Sequence, residues 1–235
     1  MPTEPGKGSP PAETSDQPSR RSQTLNERLD VIAADIRARE PDGAEVVDRF
    51  VARLKAACVG EGAPQIGEAL PPFMMPDHDG RLTSLDGLLQ AGPLVVVFHR
   101  GHWCPYCRTT IAALAEVQNR IAPAQIVAIS AETQRFTRRI RAGAGARFAF
   151  LSDMDAEYTN TIGLAISIEP PLRDLLERSG KRVPEFQGGQ RWVLPVPAVF
   201  LLDRNGVIRA RHVDPDYRRR MEVDVLLQAI QDLAG

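Results

Sequence analysis

The chain has 235 residues, a formal net charge of -1 and a hydrophobic fraction of 43%, values typical of one soluble globular domain with extensions. This near-neutral balance gives no electrostatic basis for binding nucleic acid or an anionic membrane surface, so neither partner is expected. The longest apolar runs, residues 94–98 and 197–202, fall far short of the roughly 20 residues that cross a bilayer.

Residues 1–24 are rich in proline, serine, glycine and charge, which predicts a disordered tail. They also lack the apolar stretch of a secretory signal, so the expected compartment is the reducing cytoplasm, where cysteines rarely form permanent disulfides. Residues 25–59 are expected to form an N-terminal helical extension, with two amphipathic helices on either side of a turn at residues 41–43. Cys58 continues the apolar stripe of the second helix and is predicted to be a small buried core residue.

Beyond the extension, apolar segments of strand length alternate with helical patterns, which indicates a parallel sheet covered by helices on both faces. An Asn205-Gly206 turn then predicts a closing antiparallel hairpin. The predicted elements are a short hairpin at 73–85, strands at 94–99, 125–130, 148–151, 196–202 and 207–212, and helices at 105–121, 132–141, 155–162, 170–180 and 223–233.

Two cysteines, Cys104 and Cys107, lie where the first of these strands ends and a helix begins. A helix N-terminus carries roughly half a positive charge and unpaired N–H groups, so it favours a thiolate over a thiol in its first turn. Cys104 is therefore the candidate nucleophile. Pro105 suits the first helical position, and Cys107 follows one turn later, within reach for a disulfide.

Two other interpretations of the cysteine pair remain open. His99, His102, Cys104 and Cys107 could supply two nitrogens and two thiolates to a zinc ion, although all four lie within nine residues, whereas structural zinc sites usually join separated ligand pairs. The pair could also be structural and inert, but its basic and polar neighbours make a poor setting for inert thiols.

The order of strand, redox turn, helix, strand, helix, hairpin and terminal helix predicts a thioredoxin-like α/β domain over residues 60–235. Its central mixed sheet would be flanked by helices. The cysteines would lie at the carboxyl end of a parallel strand, which is where open α/β sheets place their ligands.

Three separated segments resemble the peroxiredoxin-like family of the alkyl hydroperoxide reductase and thiol-specific antioxidant superfamily. They are FMMPDHDGRLTSLDGLL, GPLVVVFHRGHWCPYC and WVLPVPAVFLLDRNGVIRARHVDPDYRRRMEVDVLL. The resemblance covers about residues 25–233 and implies an antioxidant thiol peroxidase that reduces hydrogen peroxide or organic hydroperoxides without a cofactor or metal. It implies that Cys104 becomes a sulfenic acid and that Cys107 resolves it to a disulfide. A thioredoxin or a low-molecular-weight thiol would then reduce that disulfide.

The chain also departs from typical peroxiredoxins at three positions. Gly101 stands where they carry threonine or serine, Val97 where they carry proline, and Pro197 where they carry arginine. Pro197 resembles the cis proline that faces the cysteines of thioredoxins, so a cis Val196-Pro197 bond is predicted, with a trans proline opening an edge strand as the alternative. These features, with the glutaredoxin-like Cys-Pro-Tyr-Cys, keep a thiol-disulfide oxidoreductase as the alternative function.

Several neighbouring residues are candidate parts of the site. Trp103 is expected either to pack beside the thiols and shield them or simply to fill the core. His102 either lowers the pKa of Cys104 or is an exposed loop residue. Arg100 and Arg191 are alternative replacements for the missing arginine. The run of arginines at 218–220 is expected on the solvated surface. The N-terminal helices could cover a sheet edge or mediate a homodimer.

Overall fold

A five-stranded mixed sheet forms the centre of the computed structural model, which describes residues 23–234. Its strand order is β5-β4-β3-β8-β9; β3 runs parallel to β4 and antiparallel to β8. The strands are β1 Met74–Pro76, β2 Leu82–Ser84, β3 Leu94–Phe98, β4 Gln125–Ser130, β5 Ala149–Ser152, β6 Ala165–Ser167, β7 Val193–Pro195, β8 Ala198–Leu202 and β9 Ile208–Val213.

Helices cover both faces of this sheet, because successive side chains of a strand point to opposite sides. Val95 and Val97 of β3 face a cluster with α4, α5 and α9, whereas Val96 and Phe98 face a second cluster with α2, α3 and α7. The helices are α1 Leu25–Arg39, α2 Pro41–Ala56, α3 Leu85–Leu89, α4 Pro105–Val117, α5 Gln134–Gly143, α6 Glu157–Thr161, α7 Pro170–Arg178, α8 Val183–Gln187 and α9 Val223–Ala234.

A third apolar cluster joins the N-terminal helices to the start of α4. It contains Leu25 and Leu29 of α1, Val51 of α2, and both Cys104 and Cys107. The candidate site is therefore part of the core and lies beneath the N-terminal helices. Among residues 23–234, no helix combines the length and the apolar character needed to cross a membrane.

The structure confirms the predicted fold class, and the strand at 125–130 has the predicted bounds. The two N-terminal helices are present, but residues 41–43 open α2 instead of forming a turn, because Pro41 takes its first position. The division into domains stays a prediction. The predicted tail at 1–24 lies almost entirely outside the described residues. The pair β6 and β7 and the short helices α3 and α8 were not predicted.

The prediction for Cys58 was wrong. The helix α2 ends at Ala56, and Cys58 follows in a turn with a φ of 50°, so its side chain leaves the helical stripe and is exposed to solvent. The helix that carries the apolar stripe therefore ends two residues before the cysteine.

Candidate active site

The junction between β3 and α4 positions both cysteines. After Phe98 the backbone N–H of His99 still bonds to the carbonyl of Ile129 on β4, at 3.0 Å, and the chain then turns through Gly101. Cys104 is the N-cap residue of α4, and Pro105 is its first helical residue. Cys104 and Cys107 are reduced in this structure, and each is only 1% exposed.

The environment of Cys104 favours its ionised form and lowers the pKa of its thiol to about 6. Burial alone would raise this pKa. The hydrogen bond from the Cys107 thiol, the positive charges of Arg100 and Arg220, and the Cys107 backbone N–H act in the opposite direction and prevail. Cys104 is therefore largely a thiolate at neutral pH.

Cys107 has the opposite character. Burial and the negative charge of Cys104 raise the pKa of its thiol, so Cys107 stays protonated at neutral pH and can donate to its neighbour. Its sulfur also accepts the backbone N–H of Arg100, at 3.4 Å, and faces Nη2 of Arg220, at 3.9 Å. The pair is thus asymmetric, with one ionised sulfur and one protonated sulfur.

Two buried guanidinium groups surround the thiols. Arg100 is 3% exposed and lies 3.7 Å from the ring centroid of Tyr217, and Arg220 is 5% exposed and donates to the carbonyls of Tyr217 and Arg219. Within the described part of the chain, neither forms an ion pair with a carboxylate. Because a buried cation needs a compensating charge, the Cys104 thiolate is the natural counter-ion of this cluster.

The structure gives the positions of the arginines for which the sequence made predictions. Of the two alternatives for the missing arginine, Arg100 lies at the site, whereas Arg191 is exposed. The surface prediction for residues 218–220 was wrong for Arg220, because its guanidinium turns inward to the carbonyls that precede α9. Arg218 is partly buried by its ion pairs with Asp48 and Asp216.

His102 is not an exposed loop residue. Its Nδ1 lies 2.6 Å from Oε1 of Glu132, its backbone N–H donates to Oε2 at 2.8 Å, and its ring stacks on Phe136. Burial raises the pKa of Glu132, and the contacts with His102 oppose this rise. Glu132 was not predicted as a site residue; it follows β4 by two residues. Parallel pairing of β3 and β4 places it beside the redox turn.

Gly101 allows this close approach of Glu132. Its φ is +140°, and a Cβ atom at this position would lie 2.6 Å from Oε1 of Glu132 and 2.7 Å from Nε1 of Trp103. The carboxylate therefore occupies the space that a threonine or serine side chain would need, which explains the departure from the typical residue.

Replacing Gly101 by alanine is expected to lower the free energy of unfolding by about 2 kcal/mol, because the added methyl group meets a buried carboxylate and a strained φ. Urea unfolding followed by circular dichroism measures the change. Gly143→Ala is the matched control, because its added Cβ meets nothing within 4 Å and should raise stability by up to about 1 kcal/mol. Equal stabilities for the two variants would contradict the steric argument.

The remaining candidates border the same turn. Trp103 is half-buried, and the guanidinium of Arg100 lies 5.0 Å from its ring centroid. Pro197 is buried and precedes β8, whose Ala198 pairs with Phe98, so it lies at the same sheet end as the cysteines. The expected cis Val196-Pro197 bond was wrong: it is trans. The Val196 N–H bonds to the Leu164 carbonyl at 2.7 Å, which keeps the chain extended into β8.

The four candidate zinc ligands do not converge. His99 packs its ring against Phe150, whereas His102 faces Glu132. Across residues 23–234, no three histidine, cysteine or acidic side chains are grouped so that they could hold a metal ion.

A chamber of about 80 Å³ lies over Cys104. Arg100, Trp103 and Tyr217 contribute polar and aromatic surface to it. Apolar side chains from the N-terminal helices and α7 form the opposite wall, namely Ile36, Val47, Leu172, Leu175 and Leu176. The space beside the Cys104 sulfur is therefore narrow and largely apolar.

The sequence profile of the AhpC/TSA family matches residues 66–211, which is more than half of the chain. The chain belongs to the AhpC/TSA family. The predicted resemblance is thereby confirmed, and this family member is a thiol-dependent peroxidase, an oxidoreductase. The family match excludes the N-terminal helices, as well as Tyr217 and Arg220. No curated protein matches the chain.

Solved structures show the same fold at low sequence identity. Peroxidoxin BcpB from Mycobacterium tuberculosis is 17% identical, with a TM-score of 0.57, and the match covers 73% of this chain and 99% of that one. A peroxiredoxin-like protein from Aquifex aeolicus is 15% identical, with a TM-score of 0.58, covering 74% and 90%. AhpC from Mycobacterium tuberculosis is 18% identical, with a TM-score of 0.54, covering 74% and 94%.

Proposed function

We propose that this AhpC/TSA family member reduces hydroperoxides with Cys104 as the peroxidatic nucleophile and Cys107 as the resolving thiol. The observation that carries the proposal is the asymmetric pair at the start of α4, where two buried arginines hold Cys104 as a thiolate and Cys107 stays protonated. A thiolate is the reactive form toward peroxides, and a protonated neighbour keeps it available.

In the first step the Cys104 thiolate attacks the terminal oxygen of the hydroperoxide. The O–O bond breaks, an S–O bond forms, and Cys104 becomes a sulfenic acid, while the leaving alkoxide or hydroxide takes a proton from water. Negative charge moves from the sulfur to the leaving oxygen during this step. Arg100 and Arg220, whose positive charges already act on both thiols, are placed to stabilise that charge in a buried site.

In the second step Cys107 loses its proton and attacks the Cys104 sulfur. The S–O bond breaks, hydroxide leaves and is protonated to water, and a Cys104–Cys107 disulfide forms. Cys104 caps the N-terminus of α4 and Cys107 lies in its first turn, so little movement is needed. Oxidation of Cys104 removes its negative charge. Because that charge helps to raise the pKa of Cys107, the Cys107 thiol then loses its proton more readily.

A thiol reductant then restores both cysteines, and we place the cycle in the reducing cytoplasm. The alternative function, a thiol-disulfide oxidoreductase, loses one of its supports because the Val196-Pro197 bond is trans. A homodimer built on the N-terminal helices stays a prediction.

The pH dependence of peroxide reduction tests the proposal. With the pKa of Cys104 lowered to about 6, the oxidation rate should fall about tenfold per pH unit below pH 6 and level off above pH 7, because only the thiolate reacts. Stopped-flow mixing of reduced protein with hydrogen peroxide or cumene hydroperoxide gives the rate, and mass spectrometry follows the disulfide. A rate equal to that of free cysteine, or a midpoint near pH 8.5, would contradict the assignment.

A further inference from the structure

A second cavity, with a volume of about 930 Å³, opens beside the redox turn. We call it the basic groove and define it by its four cationic side chains, Arg28, Arg108, Arg139 and Lys181. They come from α1, α4, α5 and the segment after α7, so four separate parts of the chain bring positive charge to one cavity. Among residues 23–234, no aspartate or glutamate lines the groove.

Most of this charge has no ion-pair partner among the described residues, and the carboxylate that acts on Lys181 is that of Glu40 in the adjoining chamber. Arg28 pairs with Glu116 at 3.2 Å, but Arg108, Arg139 and Lys181 have no carboxylate within 4 Å in the part of the chain that the structure describes. Unpaired cations around one concavity attract a ligand of opposite charge. The aromatic rings of Phe136 and Phe186 supply apolar surface between them.

The basic groove adjoins the chamber over Cys104. Trp103, Pro105 and Lys181 line both cavities, so a molecule held in the groove lies next to the entrance of the chamber. Cys104 itself is only 1% exposed. A protein reductant would have to insert its thiol into a space of about 80 Å³, whereas a small thiol on a short arm can enter it.

We propose that the basic groove binds a small thiol carrying two or more carboxylates, which reduces the Cys104–Cys107 disulfide. The carboxylates occupy the groove among the cations, and the thiol reaches over Trp103 and Pro105 to Cys104. Several cations around one cavity favour more than one carboxylate per ligand. This inference rests on the proposed disulfide and names the reductant class for the same site.

The reduction is a two-step exchange. The thiolate of the first ligand attacks the Cys104 sulfur, the disulfide breaks, and Cys107 leaves as a thiolate and takes up a proton. A second thiol then attacks the mixed disulfide, which releases the oxidised ligand as its disulfide and returns Cys104 as a thiolate. Two electrons pass from two small thiols to one protein disulfide.

Reduction of chemically oxidised protein tests the proposal. The disulfide is prepared with diamide, so the measurement does not depend on whether Cys104 reacts with peroxide. The probes are glutathione, which carries two carboxylates, its diethyl ester, in which both carboxylates are masked, and uncharged dithiothreitol. The rate ratio of glutathione to dithiothreitol should fall about three- to fivefold in Arg139→Gln or Lys181→Gln and about tenfold in the double variant.

Arg178→Gln is the matched control, because it removes an exposed positive charge near Lys181 that does not line the groove. Its rate ratio should not change. Raising the salt concentration should slow reduction by glutathione more than reduction by its diethyl ester, because salt screens the attraction between exposed charges. An unchanged ratio in both groove variants, or equal rates for glutathione and its ester, would overturn the proposal.

Two other occupants give different results. If the groove receives an acidic protein, thioredoxin should reduce the disulfide faster than glutathione does. The groove variants should then slow reduction by thioredoxin and leave reduction by glutathione unchanged. If it receives a carboxylated substrate, the variants should slow oxidation by linoleic acid hydroperoxide relative to its methyl ester and leave the glutathione ratio intact. Either outcome would overturn the assignment to a small thiol.

Discussion

Replacing Cys104 by serine is expected to lower the rate of peroxide reduction by at least about a thousandfold. An alcohol is not ionised at neutral pH, so the arginines beside it have no thiolate to hold, and the nucleophile of the first step is lost. Peroxide consumption measured under saturating reductant gives the size of the loss. A Cys104→Ser variant within tenfold of the parent would show that another group reacts with peroxide.

The matched control for this variant is Cys107→Ser. Its hydroxyl can still donate to Cys104, so the first oxidation should remain fast, but the reaction should stop at a sulfenic acid. Trapping with dimedone and mass spectrometry should find the adduct on Cys104. If the parent protein contains no Cys104–Cys107 disulfide after oxidation, the resolving role of Cys107 is contradicted.

Replacing Arg100 by methionine is expected to slow peroxide reduction about a hundredfold at pH 7. If the pKa of Cys104 rose from about 6 to an ordinary value of about 8.5, the thiolate fraction would fall about 30-fold. A more basic thiolate is about tenfold more nucleophilic, so ionisation alone costs about threefold. The larger part comes from losing a buried cation that stabilises the leaving oxygen.

The pH profile separates this explanation from a loss of packing. In Arg100→Met the midpoint of Cys104 alkylation by iodoacetamide should move upward from about 6, because a neighbouring positive charge has been removed. Arg100→Lys keeps the charge, so its midpoint should stay closer to that of the parent. An unchanged midpoint in Arg100→Met would mean that Arg220 and the Cys107 thiol are sufficient to ionise Cys104.

The features predicted best from the sequence are those that depend on residues close together along the chain. The apolar run of β3, Pro105 and the spacing of Cys104 and Cys107 belong to one continuous segment, and its strand-to-helix geometry follows from local patterns. The Cys58 prediction failed because it assumed that the helix continues through residue 58. The spacing of apolar residues does not reveal that α2 ends two residues earlier.

Other parts of the site depend on chain topology. Glu132 follows β4 and could have been found from the parallel pairing of β3 and β4, which brings their carboxyl ends to one sheet edge. Tyr217 and Arg220 lie in a segment between β9 and α9 that has no regular pattern, so nothing in their spacing indicates burial beside the cysteines. The isomer of the Val196-Pro197 bond is not readable from local sequence either, and it is trans.

Asn26 of α1 holds the segment that carries Arg220: its side chain donates to the Arg220 carbonyl at 2.9 Å and accepts the Arg220 N–H at 3.1 Å. The backbone N–H groups of Leu25 and Asn26 also bond to the Glu222 carboxylate. The first helix thus helps to position one of the cations whose charge acts on a sulfur almost eighty positions further along the chain. We therefore expect mutations in that amino-terminal segment to alter the reactivity of Cys104 without changing the cysteine motif.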